Sequence, residues 1–258
     1  MFNLRTSGLI FLVFFSTEFA MFAQPADMAI IPPGIYTPLY KSGYEKSISL
    51  KSFLLDIHAV TNQEYFYFTR TSENWQKSRV KAIFAEENYL HHWLEDKKTK
   101  KYKFIENSPV TNISWFAARS YCRSLGKRLP TVHEWEYAAS YNKKNSDPID
   151  INTEILNWYG KPTPDLIPHI YSTWSNTLGV WDMHGLIWEW VEDFNSVFVT
   201  GESRADSQLD RNLFCGGASA AASDFFNYAA FMRYAFRSSL QARYTVGNLG
   251  FRCAKDLE

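Results

Sequence analysis

The stretch NTLGVWDMHGLIWEWVEDF, residues 176–194, sets one carboxylate, Glu189, between Trp188 and Trp190. An ionised Glu between large aromatics is costly to desolvate unless a cation or a set of donors compensates it. The residues therefore point to a fixed junction or a site. Asp182 lies upstream of Glu189, across a turn bounded by Gly185, and such a turn brings a second carboxylate and several carbonyls to one place. Hard oxygen donors of this kind suit calcium.

Outward from that stretch, the chain has 258 residues, enough to bury a sizeable core, and reads as one domain behind a leader. Lys plus Arg equals Asp plus Glu at 27 each, so no global field draws the chain to nucleic acid or acidic lipid. The cluster Lys97, Lys98, Lys100, Lys101 and Lys103 reads as a solvated loop. Aromatics make up 17% of the residues, which suggests a loop-rich fold pinned by rings. At the N-terminus Arg5 precedes an apolar run over residues 9–15 and a more polar stretch ending at Ala23. That layout is a secretory signal peptide over residues 1–23, too short to span a bilayer, which predicts a periplasmic or secreted domain over residues 24–258. There are three cysteines, Cys122, Cys215 and Cys253. In an exported protein two are expected to pair and one to remain, and the residues alone leave the pairing open.

Local grammar places the helices. In FLLDIHAVTNQEYFYF, residues 53–68, a strand leads into a helix starting near Asn62, with Thr61 and Glu64 forming a capping box. Ser114 caps a second helix, on whose inward face Trp115, Ala118, Cys122 and Leu125 repeat, and Gly126 follows its end. Thr131 and Glu134 form another capping box that opens a third. Residues 29–49 read as short strands and turns, residues 75–106 as one or two helices before the basic loop, and residues 141–180 as turn-rich chain.

The order of the blocks resembles the formylglycine-generating enzyme family, the sulfatase-modifying-factor domains. The matching pieces are LDIHAVTNQEY (55–65), SPVTNISWFAARSYCRSLGKRLPTVHEWEYAA (108–139), LNWYG (156–160), GVWDMHGLIWEWVEDF (179–194), CGGAS (215–219), FRSS (236–239) and NLGFRCAK (248–255). The resemblance implies an α+β fold of the C-type-lectin-like kind, loop-rich with short strands and few helices. It also implies a disulfide between Cys122 and Cys253. It places a structural calcium on Asp182, the carbonyls of Gly185 and Ile187, and Glu189, although Leu186 replaces the usual Asn of that turn. The alternative for Glu189 is a buried arginine, Arg237 or Arg252.

The founding enzymes of this family oxidise a substrate cysteine to formylglycine with O2 and copper held by a thiolate pair, the soft ligands that Cu(I) prefers. Over residues 216–239 the first thiolate position falls on Ala221 and the second on Phe226 or Ala229, and the motif serine is Ala218. Copper is therefore not expected. Cys215 reads as a buried small hydrophobe. His91 and His92 are adjacent and make a poor chelate; His58, His133 and His184 read as surface or core-edge residues, and His169 has no readable context. The first functional expectation is an accessory or binding module outside the cytoplasm, taking an unknown protein or small-molecule ligand. DFFNYAAFMRYAFRSS (224–239) resembles the accessory branch found beside copper nitrite reductases. An oxidoreductase of altered chemistry, acting on a peptide or secondary metabolite, is the alternative, with Trp188, Arg233, Arg237 and Ser238 lining its cleft by analogy. A scaffold in a cell-envelope secretion or motility machine is the third reading.

Overall fold

The computed structural model describes residues 27–38, 47–95, 102–103, 105–195 and 225–257. Strand β1 (Met28–Ile31) pairs antiparallel with β4 (Phe53–Asp56), and β4 pairs antiparallel with β9 (Ala254–Asp256). Segments far apart in sequence thus meet in a three-stranded sheet. Phe53 and Leu55 of the central strand are buried in the main core with Tyr65, Trp93, Ile113 and Trp190. Strands β2 (Gly34–Tyr36) and β3 (Ile48–Leu50) form a separate antiparallel pair, as do β5 (Leu94–Glu95) and β6 (Tyr102–Lys103).

The helix starts follow the capping chemistry. Helix α1 (Asn62–Thr71) opens on Thr61, whose hydroxyl accepts from Glu64 N while the Glu64 carboxylate accepts from Thr61 N. Ser114 accepts from Ala117 N at the start of α2 (Trp115–Ser124), and the Thr131–Glu134 box opens α3 (Val132–Ala139). Gly126 turns the chain between α2 and α3 with φ +67, the left-handed conformation that glycine adopts without a Cβ penalty. Leu125 lies just beyond the last turn of α2 and is 41% exposed rather than inward, because the helix has already ended. Lys127 in this turn pairs with Asp56 at 2.6 Å, and both side chains are buried. The second Asp56 oxygen accepts from Cys253 N at 2.9 Å. Cys253 is disulfide-bonded to Cys122, so α2 is tied covalently to the residue before β9.

Two stretches depart from the sequence expectation, residues 76–93 and residues 148–159, and residues 225–238 form a helix where the sequence carried no secondary-structure reading. Residues 76–93 form turns after a short 3-10 helix (Glu73–Trp75), not an α-helix. Short turn bonds such as Phe84 N to Lys81 O alternate with bonds to distant segments: Glu86 N donates to Arg243 O and Leu90 N to Asn112 O. Burial of Tyr89, Leu90 and Trp93 holds that path, with the Tyr89 hydroxyl 2.6 Å from that of Tyr65. Helix α4 (Pro148–Tyr159) lies within the turn-rich stretch, and helix α5 (Phe225–Ser238) runs through the alanine- and aromatic-rich block. Ile151 and Ile155, one turn apart on α4, bury against Trp174 and Ala229 of α5 in a second apolar cluster. Strand β7 (Trp188–Trp190) pairs parallel with β8 (Leu249–Phe251), with Glu189 opposite Gly250. No helix among the described residues is long and apolar enough to cross a membrane.

Candidate functional site

In β7 the alternation of a strand sends Glu189 to the face opposite its two tryptophans. The Glu189 carboxylate meets Arg252, whose Nε lies 2.8 Å from Oε2 and whose second terminal nitrogen lies 2.8 Å from Oε1. Trp135 Nε1 donates to Oε2 at 2.7 Å, and both side chains of the ion pair are fully buried. Arg252 also donates to the carbonyls of Asp56 and Trp181. The desolvation problem of Glu189 is therefore met by a fork-shaped guanidinium, the alternative the sequence left open.

The residues expected to hold calcium do not fit that ion in this arrangement. A dication beside Glu189 would face the Arg252 guanidinium in the same buried space. Asp182, in the left-handed region at φ +55, accepts from Tyr171 N through Oδ2 and from Thr173 N and the Thr173 hydroxyl through Oδ1. Gly185 has φ +92 and closes the turn, and Ile187 is buried with Leu186 in a small apolar cluster. The Asp182 carboxylate is thus satisfied by donors of the segment 171–173. Among the described residues no three His, Cys, Asp or Glu side chains form a metal-ligating group.

Next to this pair, Glu136 of α3 receives two arginines from α5. Arg233 Nε and a terminal nitrogen lie 2.9 and 2.7 Å from its oxygens, and Arg237 contributes a 2.6 Å bond. The i, i+4 spacing on α5 brings both guanidiniums to one carboxylate. Burial raises the Glu136 pKa, but Arg233 and then Arg237 more than reverse this and hold it at about 2. Arg237 also lies over the Trp135 ring at 4.6 Å. Arg233 reaches the Tyr159 hydroxyl at 3.0 Å, and Tyr159 stacks on Trp188, which stacks in turn on Phe236. The structure thereby links Trp188, Arg233 and Arg237 through Tyr159, Glu136 and Trp135, a hub with no sequence signature of its own. The Ser238 hydroxyl donates to Ala235 O within α5.

Cys215, Ala218 and Ala221 lie outside the described residues, as does the leader. Phe226 and Ala229 fall on α5, and Ala229 is buried in the second apolar cluster. His184 is a core residue at 4% exposure rather than an edge residue. Its Nε2 lies 3.3 Å from Ala139 O, and burial followed by Arg233 lowers its pKa to about 3.

A cavity of about 550 Å³ opens elsewhere, between α1, residues 91–94, residues 105–112 and the loop 163–167. Its wall carries polar residues from each of these segments, among them Asn62, His92, Asn112 and the acidic Asp165. None of the four cleft residues expected from the sequence lines it. Its walls come from separate segments, and the signals available in sequence were only Asn62, the first helical residue inside the Thr61–Glu64 box, and the distant adjacent pair His91 and His92.

These features define an α+β, loop-rich scaffold of the C-type-lectin-like kind, with a doubly charged core hub and a lateral cavity. The chain belongs to the sulfatase-modifying factor enzyme 1-like domain family, whose model matches residues 16–257. It is 31% identical over 172 residues to a formylglycine-generating enzyme of Streptomyces coelicolor, covering 59% of this chain and 54% of that protein. It is 27% identical over 251 residues to the inactive C-alpha-formylglycine-generating enzyme 2 of Bos taurus, covering 82% and 80%. A serine/threonine-protein kinase Pkn1 of Chlamydia trachomatis is 27% identical over 229 residues, and the match covers 82% of this chain but only 34% of that protein. Among solved structures, CarF superposes with a TM-score of 0.50 at 16% identity, covering 91% of this chain and 99% of that one. Treponema denticola variable protein 1 superposes at 0.50 with 14% identity, covering 89% and 95%. These likenesses concern the fold.

Proposed function

We propose that this chain is an exported accessory or binding module of the family and does not generate formylglycine. The carrying observation is thiol arithmetic. The chain has three cysteines, and Cys122 and Cys253 are joined to each other, which leaves Cys215 alone. A dithiolate copper site needs two thiolates on one ion. Ala221, with Phe226 or Ala229, stands where the family's pair would be, and neither position offers sulfur. The likeness to a relative named inactive supports the same reading. A disulfide within the fold suits an oxidising compartment, in keeping with the leader-like residues 1–23. What remains is a rigid scaffold whose buried charges are paired and whose cavity is open to a ligand.

The test is O2 consumption by the purified protein with a cysteine-containing peptide and added copper. The reading predicts uptake no greater than that of copper and peptide without protein. Protein-dependent uptake with conversion of the peptide cysteine would overturn it in favour of an altered oxidoreductase.

A further inference from the structure

The polar groups inside the cavity beside α1 are almost wholly spent on one another, and those left over define an occupant. Asn62, 1% exposed, donates through Nδ2 to the carbonyls of Ile105 and Ser108 at 3.0 and 3.1 Å and accepts at Oδ1 from Trp93 Nε1 at 2.7 Å. His92 Nε2 lies 2.7 Å from that same oxygen, and the Asn112 amide is the second hydrogen-bonding neighbour of the ring. Asn112 Nδ2 also donates to Thr245 O at 3.1 Å, and the Ser108 hydroxyl donates to Ile167 O at 2.7 Å. Thr111 is the exception. It is 2% exposed and lines the cavity, yet its hydroxyl has no hydrogen-bond partner among the described residues. Unlike His92 Nδ1, which is sealed from any occupant, the Thr111 oxygen keeps accessible surface. A hydroxyl on a nearly buried side chain calls for a partner.

Charge sets the sign of the occupant. Among the described lining residues Asp165 carries the only carboxylate, and no lysine or arginine lines the cavity. Asp165 stands exposed in the loop 163–167, with no hydrogen bond or ion pair among the described residues. Burial, then Lys77 and His91, lower the His92 pKa to about 4 against the pull of Asn112, so that ring adds no charge at neutral pH. Lys77 itself forms no part of the wall, and its ammonium donates to the carbonyls of His91 and Trp93 at 3.3 and 2.6 Å. A cation is therefore favoured at Asp165 and disfavoured beside residues 91–93. Much of the remaining wall is apolar, and Leu94 and Leu166 are 67% and 70% exposed, surface that an occupant would cover. The volume of about 550 Å³ equals a sphere roughly 10 Å across, within the range of small-molecule sites.

We propose that this cavity binds a small organic ammonium. The Asp165 carboxylate holds its cationic end, Leu94, Ile105, Leu166 and Ile167 cover its apolar body, and a hydrogen-bonding group at its other end meets the Thr111 hydroxyl. The inference deepens the binding-module reading and rests on it for taking the cavity as a binding site. Its failure would leave the O2 and thiol measurements untouched.

The test uses the full chain at about pH 8, where an ordinary histidine is uncharged and an alkylammonium keeps its proton. Three probes share one body: tyramine carries an ammonium and a hydroxyl, phenethylamine only the ammonium, and 4-ethylphenol only the hydroxyl. Calorimetric titration should show tyramine bound about fivefold more tightly than 4-ethylphenol and about threefold more tightly than phenethylamine. Asp165→Asn should erase the first preference and keep the second, and Thr111→Val, checked for a parent-like melt, should do the reverse. In protein carrying 15N-labelled histidine, tyramine should shift the ring resonances of His91 and His92, which line the cavity, and leave those of His133 and His184, which do not. No binding of tyramine by the parent, equal binding of tyramine and either single-group probe, a preference that survives its own variant, or shifts at His133 or His184 instead would each overturn the proposal. Asp165 is exposed, so its variant and the histidine resonances decide the matter if Thr111→Val does not fold.

Discussion

Replacing Glu189 by Gln removes one charge from a pair whose two side chains are fully buried. The amide is close to isosteric and can still accept from one donor, so the change isolates the charge. Arg252 then remains as a buried cation whose other partners are two neutral carbonyls, of Asp56 and Trp181. Breaking a buried pair from one side costs about 3–5 kcal/mol, because the remaining charge is uncompensated. For a domain of this size each kcal/mol lowers the melting temperature by about 2–4 °C, so the variant should melt roughly 6–20 °C below the parent. Differential scanning calorimetry in calcium and in chelator gives the second half of the test. The pairing with Arg252 predicts that the parent melts at the same temperature in both buffers, and that calcium does not rescue the variant. The double variant Glu189→Leu with Arg252→Met should lose less than the sum of the single variants. A variant that melts within about 2 °C of the parent, or a parent stabilised by calcium, would refute the reasoning.

Two further expectations follow from packing and titration. At Gly250, opposite Glu189 in the parallel pair, a Cβ would lie within 2.4 Å of Val110 O and 2.7 Å of Ile187 Cδ1. Gly250→Ala should therefore cost about 3 kcal/mol or more in denaturant unfolding, whereas Gly126→Ala, strained only by its positive φ, should cost about 1–2 kcal/mol; equal losses would contradict the packing. His184 and His92 have folded pKa values of about 3 and 4, below the unfolded value, so the unfolded chain takes up their protons first. Their stability contribution is complete above about pH 6.5 and is lost as pH falls toward 4, by up to about 1.4 kcal/mol per pH unit for each ring. Asp56, whose pKa is raised by burial against the pull of Lys127, acts in the opposite sense, so the informative quantity is a difference between proteins. His184→Gln should flatten the stability slope between pH 5.5 and 4 by about one proton, and an unchanged slope would show that the ring is protonated in the fold.

What was legible in the sequence was local. Thr61 with Glu64 and Thr131 with Glu134 place helix starts because each box is closed within one turn. The α+β fold and the Cys122–Cys253 bridge followed from the resemblance carried by the ordered motifs, and the structure contains both. Helix α4 escaped notice because Asn, Asp and Pro dominate the surrounding turn composition, while its apolar residues Ile151 and Ile155 find partners only in Trp174 and α5. Residues 76–93 failed in the opposite direction, since successive turns, pinned by the bonds of Glu86 to Arg243 and Leu90 to Asn112, take the place of a continuous helix. At the site, Glu189 announced itself as a carboxylate in need of compensation. The choice between a metal and Arg252 depended on a contact across 63 positions, which no local pattern reports. The cavity was least legible of all, because Asn62 at the start of α1 meets His92 and Asn112 from two separate turns.

The central claim is that this family member has no thiol pair for copper, and a count of thiols tests it most directly. The protein, unfolded in denaturant without reductant, should react with one equivalent of a thiol reagent per chain, and peptide mapping should place the label on Cys215. After reduction the count should rise to three, the number of cysteines in the chain. Three reactive thiols before reduction, or a label on Cys122 or Cys253, would contradict the account.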